Sequence, residues 1–230
     1  MKPIQVTDKV FMVAGANLTD YRDGAVYLID LGAPVLIDSG SGFGFDKTVK
    51  NIEYLGFNPY DIPAIILTHC HFDHVGGAHL FKQRFETRLI MHELDARIVE
   101  RADQRLTAAF CFDVEFKSLP IDEKLNGEES IIVVNDHEIV CTHTPGHTSG
   151  SISVYIDLEG ERILFAQDIG APLLKEFDCD SNAWVRSIDF MFYLNPDILC
   201  DGHSGIFKSK EQVREYLQYC ISKQIEMGYL

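Results

Sequence analysis

Ile65-Ile66-Leu67-Thr68-His69-Cys70-His71-Phe72-Asp73-His74-Val75-Gly76-Gly77 is the stretch on which the reading of this chain turns. Its first four residues form a short apolar run bounded by polar ones, the pattern of a buried strand. Directly after it come four side chains able to ligate a metal, His69, His71, Asp73 and His74, at a strand end where loops present side chains to a cleft. In extended chain His69, His71 and Asp73 share a parity, and the adjacent His74 points elsewhere. One tetrahedral ion could not easily take all four from so short a segment. Two ions about 3.5–4 Å apart could, each using a subset. Gly76-Gly77 then allows a tight turn into a helix.

Three further ligand candidates follow apolar runs of the same kind: His147 in Thr144-Pro145-Gly146-His147-Thr148, Asp168 after Ile163-Leu164-Phe165-Ala166-Gln167, and His203 after Ile198-Leu199-Cys200-Asp201-Gly202. Taken singly, each is an ordinary turn or surface residue; together they draw five of the nine histidines into one ordered scheme. Nitrogen and carboxylate donors without thiolate suit zinc, with iron or manganese as alternatives.

Around these motifs, strands are expected at 10–13, 25–30, 34–38, 89–91, 131–134, 138–142, 151–156, 162–165 and 198–200. Helices are expected at 46–55, 78–85, 93 to about 109, 182–194 and 210–225. Strand-rich stretches that each carry helices imply an α/β (α+β) protein of two sheets with outer helices, as one domain over residues 1–230. Glu93–Phe116 and Leu173–Trp184 are candidate lid segments, and residues 210–225 a terminal helix whose Tyr219, with Tyr229, is a candidate homodimer surface. The isolated histidines are expected to be bland: His79 and His137 facing solvent, His143 at a strand end, His92 beside the lid.

The 230 residues carry 20 Lys+Arg against 35 Asp+Glu, a formal charge of −15 that disfavours a nucleic-acid partner. No run approaches the roughly 18 apolar residues of a membrane span, and the first residues lack the apolar core of a signal peptide. Six scattered cysteines without a CxxC are expected to be reduced, and the protein cytoplasmic. The expected partner is a small-molecule substrate.

The motifs Thr68-His69-Cys70-His71-Phe72-Asp73-His74-Val75-Gly76-Gly77, Pro145-Gly146-His147-Thr148-Ser149-Gly150, Asp168 and Gly202-His203 together resemble those of the metallo-β-lactamase superfamily, over about Val10 to His203. The resemblance implies a four-layer αββα sandwich with metals at one edge of the paired sheets. By position, one metal would take His69, His71 and His147, and the second Asp73, His74 and His203, with Asp168 bridging. Asp38, in Leu36-Ile37-Asp38-Ser39-Gly40, would support the site from behind or simply cap a turn. The implied activity is hydrolysis of an ester, thioester or lactone-like bond by a metal-bridging hydroxide, with Asp73 as the catalytic residue that orients it or passes a proton to the leaving group.

Asp168 stands where the commonest zinc β-lactamases carry Cys, so penicillin is not the expected substrate. Flavodiiron oxygen reductases carry Glu where His71 stands, and the processing ribonucleases add RNA-binding elements that are not seen here. After Asp168 the chain reads Ile169-Gly170-Ala171-Pro172, without the Gly-rich, Arg-containing stretch of glyoxalase II and persulfide dioxygenases. The alternatives are a mononuclear iron enzyme of the persulfide dioxygenase type, held by His69, His147 and Asp168, and a non-enzymatic metal sensor or scaffold.

Overall fold

The computed structural model describes residues 2–230. The first half of the chain builds one seven-stranded sheet in sequence order: β1 (Ile4–Gln5), β2 (Val10–Ala14), β3 (Val26–Asp30), β4 (Pro34–Ile37), β5 (Ala64–Leu67), β6 (Arg88–His92) and β7 (Glu123–Leu125). The second half builds a six-stranded sheet from β8 (Glu129–Val134), β9 (His137–His143), β10 (Ile152–Leu158), β11 (Glu161–Phe165), β12 (Ile198–Cys200) and β13 (Ile206–Phe207), again in order. The helices are α1 (Phe45–Tyr54), α2 (Phe72–Val75), α3 (Ala78–Phe85) and α4 (Glu93–Glu100) in the first half, and α5 (Ser181–Leu194) and α6 (Lys210–Glu226) in the second.

The period of two along each strand sorts its apolar residues between two cores. In β3, Tyr27 and Ile29 enter the core between the sheets with Ile139, Val154 and Phe165, whereas Val26 and Leu28 face α1 and α3 with Phe45, Ile52 and Phe81. On the other side, Leu164 and Leu199 of the second sheet pack on Trp184, Ile188 and Leu217 of α5 and α6. These faces give the four-layer αββα sandwich that the ligand motifs imply.

The helix expected from 93 to about 109 ends at Glu100. Ala102 and Ala108 have positive φ, and the Asp103 side chain accepts from the amides of Arg105 and Leu106, so the chain turns where helical period alone would continue it. Within Glu93–Phe116, Asp95, Ala96 and Val99 are buried. Within Leu173–Trp184, Trp184 lies in the core, its indole N–H donating to the Ile169 carbonyl, and Phe177 packs beside His71.

Candidate metal centre

The strand ends deliver the candidate ligands to one edge. β5 ends at Leu67, and Thr68 is held by Asp38, which accepts from the Thr68 amide at 2.7 Å and its hydroxyl at 2.8 Å. The chain bends at His69 and Cys70, and His71, extended in φ and ψ, is the N-cap residue of α2. The chain is helical from Phe72, so Asp73 leaves the parity of His69 and His71 and groups with His74. β11 and β12 run parallel with Phe165 opposite Cys200, so Asp168 and His203 each emerge three residues past the same rung. His147 lies in the loop from β9 to β10, beyond Gly146, whose φ is +138° and where a Cβ would lie 2.5 Å from the backbone of Trp184.

The structure brings all seven expected residues together in two groups that share Asp168: His69, His71, His147 and Asp168, and Asp73, His74, Asp168 and His203. Asp168 Oδ2 lies 3.7 Å from His69 Nε2, 3.5 Å from His147 Nε2 and 3.2 Å from His203 Nε2. His147 Nε2 is 2.9 Å from His71 Nδ1. In the second group His203 Nε2 is 3.0 Å from Asp73 Oδ2, and His74 Nε2 is 3.2 Å from Asp168 Oδ1. Nitrogen donors about 2.0–2.1 Å from a tetrahedral zinc ion lie about 3.3 Å apart, within this spread.

Hydrogen bonding fits the same role. His69 Nε2 is buried and makes no hydrogen bond, an arrangement that is costly unless a cation meets it. Thr68 Oγ1 donates to Asp38 and so accepts from His69 Nδ1 at 3.0 Å, which leaves the lone pair on Nε2. His74 Nδ1 lies 2.8 Å from Asp38 Oδ2, and donation there frees its Nε2 in the same way. Asp38 thus backs both groups, with φ +62° in the left-handed region that Asp tolerates.

Charge divides the histidines. Burial lowers the pKa of His69, His71 and His147, the last to about 3, so all three are neutral and able to ligate. Burial also opposes charge on His74, but Asp168, Asp73 and Asp38 outweigh it and hold its pKa well above the ordinary value. Asp168 raises His203 to about 10. In return, His203 and His74 overcome burial and keep Asp168 and Asp73 ionised.

Two acids absent from the expected set brace the loops. Asp201 is buried and accepts from Tyr216 Oη at 2.7 Å and from the amides of His203 and Ser204 at 2.9 and 2.7 Å. Asp95, in the first turn of α4, accepts from Cys70, Thr148, Ser149 and Gly150. The one sequence signal for Asp201 is its Asx-turn position before Gly202-His203. At the mouth Phe177 packs edge-on to the His71 ring at 5.5 Å, with Phe110 a further 6.0 Å away. Arg105 holds this wall together through both oxygens of Asp178. His79 and His137 are exposed and His143 ends β9, whereas His92 is buried, caps α4 and stacks on His143.

A family model described as the metallo-beta-lactamase superfamily matches residues 20–203. A probable metallo-hydrolase of Methanocaldococcus jannaschii is 30% identical over 154 residues, covering 63% of this chain and 68% of that protein. An N-acyl homoserine lactonase of a Bacillus species is 28% identical over 118 residues, which span 50% of this chain but 40% of the lactonase. Among solved structures, a metallo-beta-lactamase of Elizabethkingia meningoseptica superposes with a TM-score of 0.82 at 22% identity, covering 98% of this chain and 92% of that one.

Proposed function

The chain belongs to the metallo-beta-lactamase superfamily of metal-dependent hydrolases, and from that premise we propose that it cleaves an ester, thioester or lactone-like bond of a small molecule with two divalent ions, zinc first among them. The observation that carries this reading is the sharing of Asp168 by two complete donor groups, with His69 Nε2 buried and bonded to no protein group. Divalent ions bound there would polarise the scissile carbonyl and make a water acidic enough to attack it at neutral pH.

The chain's own residues supply the rest. Asp168 holds the two groups in one unit. Asp73 is less completely buried than Asp168, and its Oδ2, beside His203, orients the attacking water and carries its proton towards the leaving atom. His203, with 43% of its side chain exposed where the other four histidines are buried, marks the face from which substrate enters. Phe110 and Phe177 wall the His71 side with apolar surface that keeps bulk water from the group being cleaved. The lactonase match supports an acyl-oxygen bond as the first to try.

The test is elemental analysis of protein purified without added metal, alongside His203→Ala, with a panel of esters, thioesters and lactones. Two ions per chain, falling towards one in the variant with loss of hydrolysis, is the expected result. One iron per chain, indifferent to the substitution, would overturn it in favour of oxygen chemistry.

A further inference from the structure

Asp95 has no place in either donor group, yet its carboxylate reaches two separate segments of the site. Its side chain is buried, and both carboxylate oxygens are used. Oδ2 accepts from the Cys70 amide at 2.8 Å and from Thr148 Oγ1 at 2.6 Å. Oδ1 accepts from the Gly150 amide at 2.6 Å and from Ser149 Oγ at 3.4 Å. The Cys70 amide lies between His69 and His71, so anchoring it fixes the chain on both sides. Thr148 directly follows His147. One carboxylate on α4 therefore ties the loop after β5, from the first sheet, to the loop between β9 and β10, from the second. Those two loops carry all three histidines of one donor group and none of the other.

Gly150 shows how closely the parts are fitted. A Cβ at that position would lie 2.6 Å from Asp95 Oδ1 and closer still to the Asp95 amide, so the loop reaches the carboxylate only because residue 150 has no side chain.

We infer that Asp95 is a positioning residue that sets the spacing of His69 and His71 against His147, and so the metal affinity of that group alone. The inference rests on the reading of this edge as a metal centre. Its mechanism is geometric. The ionised carboxylate offers acceptors on both sides, whereas an amide of the same shape must turn an NH2 group towards either the Cys70 or the Gly150 N–H. Two facing donors push one loop away from the other.

The experiment measures Co2+ and Zn2+ affinity by chelator competition, with the visible Co2+ spectrum as a second readout, on full-length chains. A His203→Ala background leaves the His69, His71, His147 group to be read, and a His69→Ala background leaves the other. Asp95→Asn should weaken binding by about 10–100-fold in the first background and alter its Co2+ spectrum, while leaving the second unchanged. Thr148→Val removes one donor with little change of shape and should give a smaller loss of the same selectivity, which keeps the test open if Asp95→Asn does not fold. Unchanged affinity in the first background, or an equal fall in both, would overturn the inference. Failure of the wild-type chain to bind either ion would overturn it together with the metal-centre reading, whereas normal wild-type binding indifferent to Asp95 would remove the inference alone.

Discussion

At Asp38 one carboxylate serves two imidazoles, accepting from His74 directly and reaching His69 through the Thr68 hydroxyl. Asp38→Ala would strand the His74 Nδ1–H and the Thr68 amide in a buried setting, at about 1–3 kcal/mol for each unmet group. It should lower the melting temperature and weaken zinc binding about 10–100-fold, read by calorimetry and chelator competition. Wild-type affinity in a folded variant would show that the acid only caps a turn. A second prediction follows from the charge on His74 and His203. Both pKa values are raised in the ion-free chain, so both rings hold protons at neutral pH that an entering cation must displace. Zinc loading in weakly buffered solution should therefore release protons. Affinity should fall with acid by up to about tenfold per pH unit for each proton displaced. Loading at pH 7 without proton release would contradict this. Asp38 could be read from sequence because it ends an apolar run, as the ligand residues do. Asp95 could not, because an acid in the first turn of a helix looks like ordinary complement to the helix dipole, and nothing local reveals that two other segments converge on it.

Between elements, close approach at glycine decides where the loops lie. Gly146→Ala would put a methyl group 2.5 Å from the Trp184 backbone at a φ of +138°, so either the His147 loop or the start of α5 must move. The expected result is a loss of about 1–3 kcal/mol in chemical denaturation, together with weaker metal binding. A stable variant with full metal content would mean that the loop has room to spare. The Arg105–Asp178 pair is exposed at 51% and 63%, so its worth to stability is about 0–1 kcal/mol. Arg105→Ala should leave the melting temperature nearly unchanged but raise KM for apolar substrates, because it frees the wall of Phe110 and Phe177. An unchanged KM would separate that wall from substrate binding. At this scale helices α1, α3, α5 and α6 were legible from their period, within a residue or so at their ends. The short edge strands β1, β7 and β13 were not, since none carries an apolar run as long as that of β12 and each exists through the pairing of its one neighbour.

Across the whole molecule the apolar cores are complete without any ion: one between the sheets and one under each helical layer. Chelation should therefore lower the melting temperature by the linkage of binding to folding, yet leave a single cooperative transition. Loss of far-ultraviolet circular dichroism on chelation would mean that metal carries the fold itself. Two sheets with outer helices were legible because strand and helix signals alternate through the chain, whereas the four-layer order followed from the resemblance of the ligand motifs to a known family. What sequence could not supply was the register between β11 and β12, which puts Asp168 and His203 at equal reach.

The sheets are also contiguous in sequence, and the change from one to the other falls in the short turn between β7 and β8, around Gly127, where a Cβ would meet nothing. One donor group takes His69 and His71 from before that turn and His147 and Asp168 from after it, and the other is divided in the same way. A bound ion is thus a rivet through the seam. Cut at Gly127, the two fragments should rejoin more tightly with zinc than with chelator, making the chain a natural split reporter for the metal it holds.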